Sequence, residues 1–219
     1  MASREEMIPP DRHGSLVATT GELANRLNGL YGLYLDATTG FKFNFAKMKE
    51  SQEGLAHLVS DPDELDQVPI SYGHGDPEDP GSRLQHQTTQ GEYKARNAPG
   101  GANFRLLSHT FIVFAYQLWE EEYRGRIAEL LGKETNELSI PLLGDIRLLR
   151  HDILKHRGVL TEDKSKRLQV IDYLVGGQYI AFSESDIEQL VRAIKAALDN
   201  MVLAATGTDP EFRKVWRLQ

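Results

Sequence analysis

Apolar residues return at intervals of three and four along four long stretches of this 219-residue chain, a period that belongs to helices with one buried face. Leu23, Leu27, Leu30, Tyr34, Phe41, Phe45, Met48 and Leu55 keep it through a first helix expected over about 21–58. Leu107, Phe111, Phe114, Leu118 and Ile127 keep it through a second, over about 104–131, which Gly132 closes. Ile146, Leu149 and Ile153 mark a third, over about 140–157, with Pro141 in its first turn, where a missing N–H costs nothing. Ile187, Leu190, Val191, Ile194, Leu198 and Val202 mark a fourth that runs to about 205. Ser185-Asp186-Ile187-Glu188 reads as its capping box and Gly207 as its stop. The expectation is an all-α fold, a four-helix bundle, in a single domain spanning 1–219.

Several stretches break the period. Residues 1–19 read as a frayed leader, with Thr20 as the N-cap of the first helix and Glu22 complementing its dipole. Gly29, Gly32 and Gly40 each weaken that helix by about 1 kcal/mol relative to Ala, which leaves room for a break near Thr38-Thr39-Gly40 within the helix expected over 21–58. The stripe Tyr31, Tyr34, Phe41, Phe43 and Phe45 reads as helix-packing core rather than as a base-stacking platform. From 61 to 103 the pattern collapses. Pro62, Pro69, Pro77, Pro80 and Pro99 alternate with glycines there, which no helix tolerates in its interior. This is expected to be a flexible Gly/Pro-rich insertion between helices one and two, either a substrate-facing flap or a tolerated surface loop. Before helix four, Val170–Leu174 and Gln178–Phe182 flank Gly176-Gly177, which fits a short hairpin or a short helix followed by a loop. Trp216, with Phe212 and Val215, is expected to dock the tail onto the body or onto a second subunit.

Composition removes whole classes of chemistry. There is no cysteine, hence no disulfide, no thiolate nucleophile and no Cys-ligated zinc. No run of about 18 apolar residues exists to span a membrane, and the first residues carry charge and two prolines instead of a secretory h-region, so a cytoplasmic protein is expected. His74 and His86 lack metal-ligand spacing, the side chains of Glu120-Glu121-Glu122 point three ways on a helix, and Gly176-Gly177 lacks the Lys-Ser or Lys-Thr of a phosphate loop. No metal and no cofactor are expected. The net charge of −7 argues against binding nucleic acid through the overall field, so any RNA contact must be local.

One such locality exists. Gly144 to Gly158 is the only place where titratable residues crowd a helical pattern: Arg147, Arg150, His151, Asp152, Lys155, His156 and Arg157 occupy the faces that Ile146, Leu149 and Ile153 leave free. Between Pro141 and Arg157, four basic residues stand against Asp145 and Asp152, opposite in sign to the chain as a whole. Arg150, a polar neighbour at His151, five intervening residues to His156, and the closing Arg157-Gly158 resemble the signature of the HEPN superfamily. The signature helix lies behind two earlier long helices and before a fourth, as in that family.

The resemblance implies a HEPN-like helical bundle and a metal-independent endoribonuclease, the toxin of a toxin–antitoxin pair or a defence effector. An antitoxin or regulatory protein would then be a partner. HEPN nucleases build their site at a dimer interface, which implies a homodimer with a composite site. The helix geometry agrees with that requirement. Arg150 and His156, six residues apart, leave one helix about 120° apart with a rise of about 9 Å, too far for one phosphate. In the implied roles, His156 moves the proton or orients the 2′-hydroxyl and Arg150 holds the phosphate. His151, Lys155 and Arg157 add substrate contacts. A metal on His151, Asp152 and His156 is not expected, because two histidines five apart face different ways on a helix. One HEPN subfamily, paired with a nucleotidyltransferase antitoxin, carries a Tyr two residues after the His. Gly158 stands there, which argues against control by modification of that Tyr. The competing reading is a HEPN-like RNA-binding or protein-interaction module that does not cut.

Overall fold

The computed structural model describes residues 7–76, 79, 81–210 and 212. Among them are seven α-helices and one two-stranded sheet, so the chain is mostly helical. It divides into two compact units, one of 1–34 with 108–219 and one of 35–107.

Helix α1 (Pro10–Leu55) begins far earlier than the apolar period suggested. Leu16, in the stretch expected to be a leader, is fully buried. Thr20 is no cap: it lies inside the helix and its hydroxyl donates to the Leu16 carbonyl at 2.7 Å. The helix also runs unbroken through Thr38-Thr39-Gly40, where the Thr38 hydroxyl donates back to the Leu35 carbonyl at 3.1 Å. Local glycine cost is small beside the helical hydrogen bonds retained on both sides.

The larger unit holds the site. Its core is formed by Leu16, Leu23, Leu27 and Tyr34 of α1, Phe111, Ile112 and Ala115 of α3 (Ala102–Gln117), Ile146 and Leu149 of α5 (Pro141–Lys155), and Ile187, Val191, Ile194, Leu198 and Val202 of α7 (Glu184–Thr206). The second expected helix is three pieces. α3 passes into one π-helical turn, Leu118–Tyr123, and then into α4 (Arg124–Leu130). Both Trp119 and Tyr123 of that turn are buried. The N-cap of α7 lies two residues before the expected one. Ser183 is the N-cap, its hydroxyl accepting from the Asp186 N–H while the Asp186 carboxylate accepts from the Ser183 N–H at 2.8 Å. No hairpin forms across Gly176-Gly177. Tyr179 instead bridges to Val159, and a short α6 (Glu162–Ser165) lies between. Of the tail, Val215 and Trp216 lie outside the described residues; the Phe212 N–H donates to the Asp199 carboxylate at 3.0 Å.

The described residues of 61–103 form regular elements; Pro77 and Pro80 lie outside them. Strands β1 (Pro69–His74) and β2 (Arg83–Thr89) pair antiparallel, with Tyr72 opposite His86, and α2 (Gln90–Asn97) follows. Pro62 opens a 3₁₀ turn, Pro69 is the first residue of its strand and Pro99 follows α2, so none of these three breaks an element interior. Gly73 sits at a register shift where a Cβ would lie 2.8 Å from the Arg83 carbonyl oxygen. Thr89 and Glu92 form a reciprocal capping box at the start of α2.

Candidate functional site

Helix α5 carries every residue of the signature up to Lys155. Ile140 enters it in an extended conformation and Pro141 takes a first-turn position. Leu142, Leu143, Ile146 and Leu149 are buried, and so are two carboxylates, Asp145 and Asp152, one heptad apart on the same flank. Buried carboxylates need partners. Asp145 accepts from the N–H groups of Gln169, Val170 and Ile171 at 2.7–3.0 Å. Asp152 accepts from the Thr161 N–H at 2.7 Å, the Thr161 hydroxyl at 2.9 Å and the Lys164 ammonium at 2.5 Å. The two acids therefore tie the chain that follows α5 back onto the helix. Asp152 is no member of a solvated flank: its side chain is 0% exposed. Burial alone would raise its pKa, but the hydrogen bonds from Lys164, Thr161 and His151 outweigh that and hold it at about 2.

The end of α5 sets the position of the histidines. The helix stops at Lys155. His156 is its C-cap with φ −120° and ψ 25°, and its N–H donates to the Asp152 carbonyl at 2.9 Å. Arg157 then has φ +54° and Gly158 φ +79°. A left-handed conformation at Arg157 is uncommon for a residue with a Cβ. Gly158 is required by space as well as by φ, because a Cβ there would meet His109 Cε1 at 2.5 Å and the Tyr179 ring at 3.1 Å. His109 is buried on α3, stacked on Tyr179 at 5.1 Å, with its Nε2 2.7 Å from the Ile180 carbonyl oxygen. Backbone bonds from Ile180 to Gly158 (2.7 Å) and from Leu160 to Gln178 (2.9 Å) fix the two crossing segments.

Because the helix has ended, His156 does not continue the helical rotation. Its ring comes to 5.8 Å from that of His151. The side chains are 46% and 52% exposed, and both converge on Asp152: Nδ1 of His151 lies 3.3 Å from Oδ1 and Nε2 of His156 3.7 Å from the same oxygen. The sequence reading that set the two histidines on different faces is thus corrected. His151, Asp152 and His156 each offer one donor atom, all within 4.8 Å of one another, a set that can hold a metal ion. Lys155, His156, Arg157, Thr161 and Glu162 line a shallow concavity at this end of the helix.

Arg150 takes another direction. Its guanidinium lies over the Tyr116 ring of α3 at 5.6 Å, and its Nε is buried without a hydrogen-bond partner among the described residues. The Tyr116 hydroxyl donates to Glu120 at 3.0 Å, and Glu120 accepts from Arg124 at 3.1 Å, so the π-helical turn holds the ring on which Arg150 rests. Burial, then the bond to Glu120, raises the Tyr116 pKa. The structure therefore gathers His151, Lys155, His156 and Arg157 at one end of α5 and sets Arg150 against Tyr116, outside the lining of that concavity. Tyr116, His109 and Lys164 escaped the sequence reading. Tyr116 and His109 belong to α3 and Lys164 to α6, and only the fold brings them near α5.

Comparison with protein families, with curated proteins and with solved structures finds no match to this chain.

Proposed function

We propose that the chain is a metal-independent endoribonuclease of the HEPN type, a toxin or defence effector acting in the cytoplasm. The observation that carries this reading is the half-exposed His156, held beside a fully buried, ionised Asp152 and flanked by Lys155 and Arg157 at the rim of a concavity. An imidazole so placed can exchange protons with a substrate. The reading takes α1, α3, α5 and α7 as the four helices of the HEPN frame, with α5 as the signature helix.

In the proposed reaction the RNA supplies the nucleophile. His156 takes the proton from a ribose 2′-hydroxyl, whose oxygen attacks the adjacent phosphorus. The P–O5′ bond breaks, and the leaving 5′-oxygen takes a proton from an acid of the site. The products carry a 2′,3′-cyclic phosphate and a 5′-hydroxyl. Arg150 holds the non-bridging oxygens through paired hydrogen bonds as charge develops there. Since Arg150 and His156 diverge on one helix, the site is completed by the second copy in a homodimer, Arg150 of one chain serving beside His156 of the other. Lys155 and Arg157 position the backbone without reading sequence.

The reading is tested by incubating purified protein with labelled tRNA and total RNA and determining the fragment ends by mass spectrometry. Cyclic phosphates and 5′-hydroxyls are expected. Fragments with 5′-phosphates and 3′-hydroxyls would require an attacking water instead and would overturn it.

A further inference from the structure

We propose that His151, Asp152 and His156 form a site for a divalent transition-metal ion of the zinc class, and that the ion, by occupying His156, inhibits the chain. The binding claim stands on the geometry alone; the inhibition rests on the reading of His156 as the proton-transfer group.

Zinc takes imidazole nitrogen and carboxylate oxygen at about 2.0–2.2 Å in a tetrahedral array, so neighbouring ligand atoms stand about 3.3 Å apart. Two edges of that array exist already: His151 Nδ1 to Asp152 Oδ1 is 3.3 Å and His156 Nε2 to the same oxygen is 3.7 Å. All three donor atoms fall within 4.8 Å, and both rings are about half exposed, free to turn and close the remaining gap, about 1.5 Å at the widest pair. The exposed side leaves a fourth position for water. The carboxylate is prepared as a ligand should be. Its second oxygen, Oδ2, is fixed by the Thr161 N–H and hydroxyl at 2.7 and 2.9 Å, while Oδ1 is turned to the imidazoles. Such outer hydrogen bonds orient ligating groups and contribute to affinity.

Lys164 is the opposing element. Its ammonium lies 2.5 Å from Oδ1 and is only 14% exposed. An arriving cation competes with it for the same oxygen, so Lys164 sets how tightly the ion is held. The site is then a tunable one: apo, Lys164 neutralises Asp152; loaded, the metal does so and ties His156 into its coordination shell, where the imidazole can no longer accept a proton.

The test is isothermal titration of untagged protein with zinc chloride, with folding of each variant followed by thermal melting. Wild type should bind one ion per chain. His151→Ala and His156→Ala, both half-exposed positions whose loss leaves the core intact, should each weaken binding about tenfold or more. Lys164→Gln should tighten it. No binding at micromolar zinc, or equal affinity in the wild type and the His151→Ala/His156→Ala double variant, would overturn the site. An affinity unchanged in Lys164→Gln would overturn the competition. RNA cleavage measured at the same zinc concentrations should fall in step with occupancy. Binding by a protein that never cleaves in EDTA would leave the metal site standing and refute the nuclease, so the two failures are distinguishable.

Discussion

The Asp152 carboxylate accepts a hydrogen bond from the Lys164 ammonium at 2.5 Å, across a turn that also places Thr161 on its other oxygen. A buried acid at the heart of the signature helix is thereby spent on holding the next segment, and it orients the two imidazoles from the same spot. Asp152→Asn keeps the shape and removes the charge, which leaves Lys164 without its counter-ion. It should lower stability by about 3 kcal/mol at pH 7, read by urea denaturation.

The same group sets an acid limit. The folded pKa of Asp152 is about 2 against an ordinary value of 3.8, so its contribution, roughly 2 kcal/mol, is present in full above pH 4 and is lost as pH falls from 4 toward 2. The stability difference between wild type and Asp152→Asn should shrink across that window. A difference that stays constant from pH 5 to pH 2 would contradict the assigned shift.

Lys195 acts with the opposite sign on the alkaline side, where it makes stability rise with pH. It lies 1% exposed in α7, its ammonium hydrogen-bonded to Asn28, and burial pushes its pKa down to about 8 against the Asp199 charge that raises it. A lysine whose folded pKa lies below the unfolded value opposes folding at neutral pH, and that opposition fades as pH rises from 8 toward 10.5. Wild type should therefore gain about 2 kcal/mol relative to Lys195→Met between pH 7 and pH 9.5, measured by chemical denaturation.

Gly158→Ala should be among the costliest single-methyl additions in the chain. It adds a Cβ 2.5 Å from His109 Cε1 at a residue with φ +79°. A loss of about 2 kcal/mol or more is expected from left-handed strain plus the clash. Gly207→Ala is the control. It shares the left-handed φ (+72°) but meets only Met7 Sδ at 3.8 Å, and should lose about 1 kcal/mol. Equal losses in thermal or urea unfolding would contradict the role of His109 and Tyr179 as the walls of this turn.

How far the site was legible follows from these residues. The helices were readable wherever apolar side chains repeat, and α5 and α7 fall close to their expected spans. The hairpin was not, because almost all of its side chains are exposed, so β1 and β2 write no inside–outside alternation into the sequence. In the sequence Asp145 and Asp152 counted only as the acidic residues set against the four basic ones of this helix. Their heptad spacing, in phase with the buried flank, was the one available signal, but their partners Gln169–Ile171, Thr161 and Lys164 come from later in the chain. The meeting of His151 and His156 was out of reach, since it depends on where α5 stops and on the non-helical backbone of His156.

Tyr116 gives a sharper handle on Arg150. Tyr116→Phe keeps the ring under the guanidinium and should leave RNA cleavage within about twofold, while Tyr116→Leu frees the guanidinium and should cost about tenfold or more. The comparison is made on single-turnover rates. Equal rates in Phe and Leu variants would show that the stacking does not position Arg150.

The most direct measurement is cleavage of labelled RNA in EDTA by wild type beside Arg150→Ala and His156→Ala, each checked for folding and dimerisation. The account predicts that wild type cuts without metal and that each substitution lowers the rate by about a hundredfold or more. If wild type fails to cut, or if both folded variants cut as well as wild type, the account is wrong.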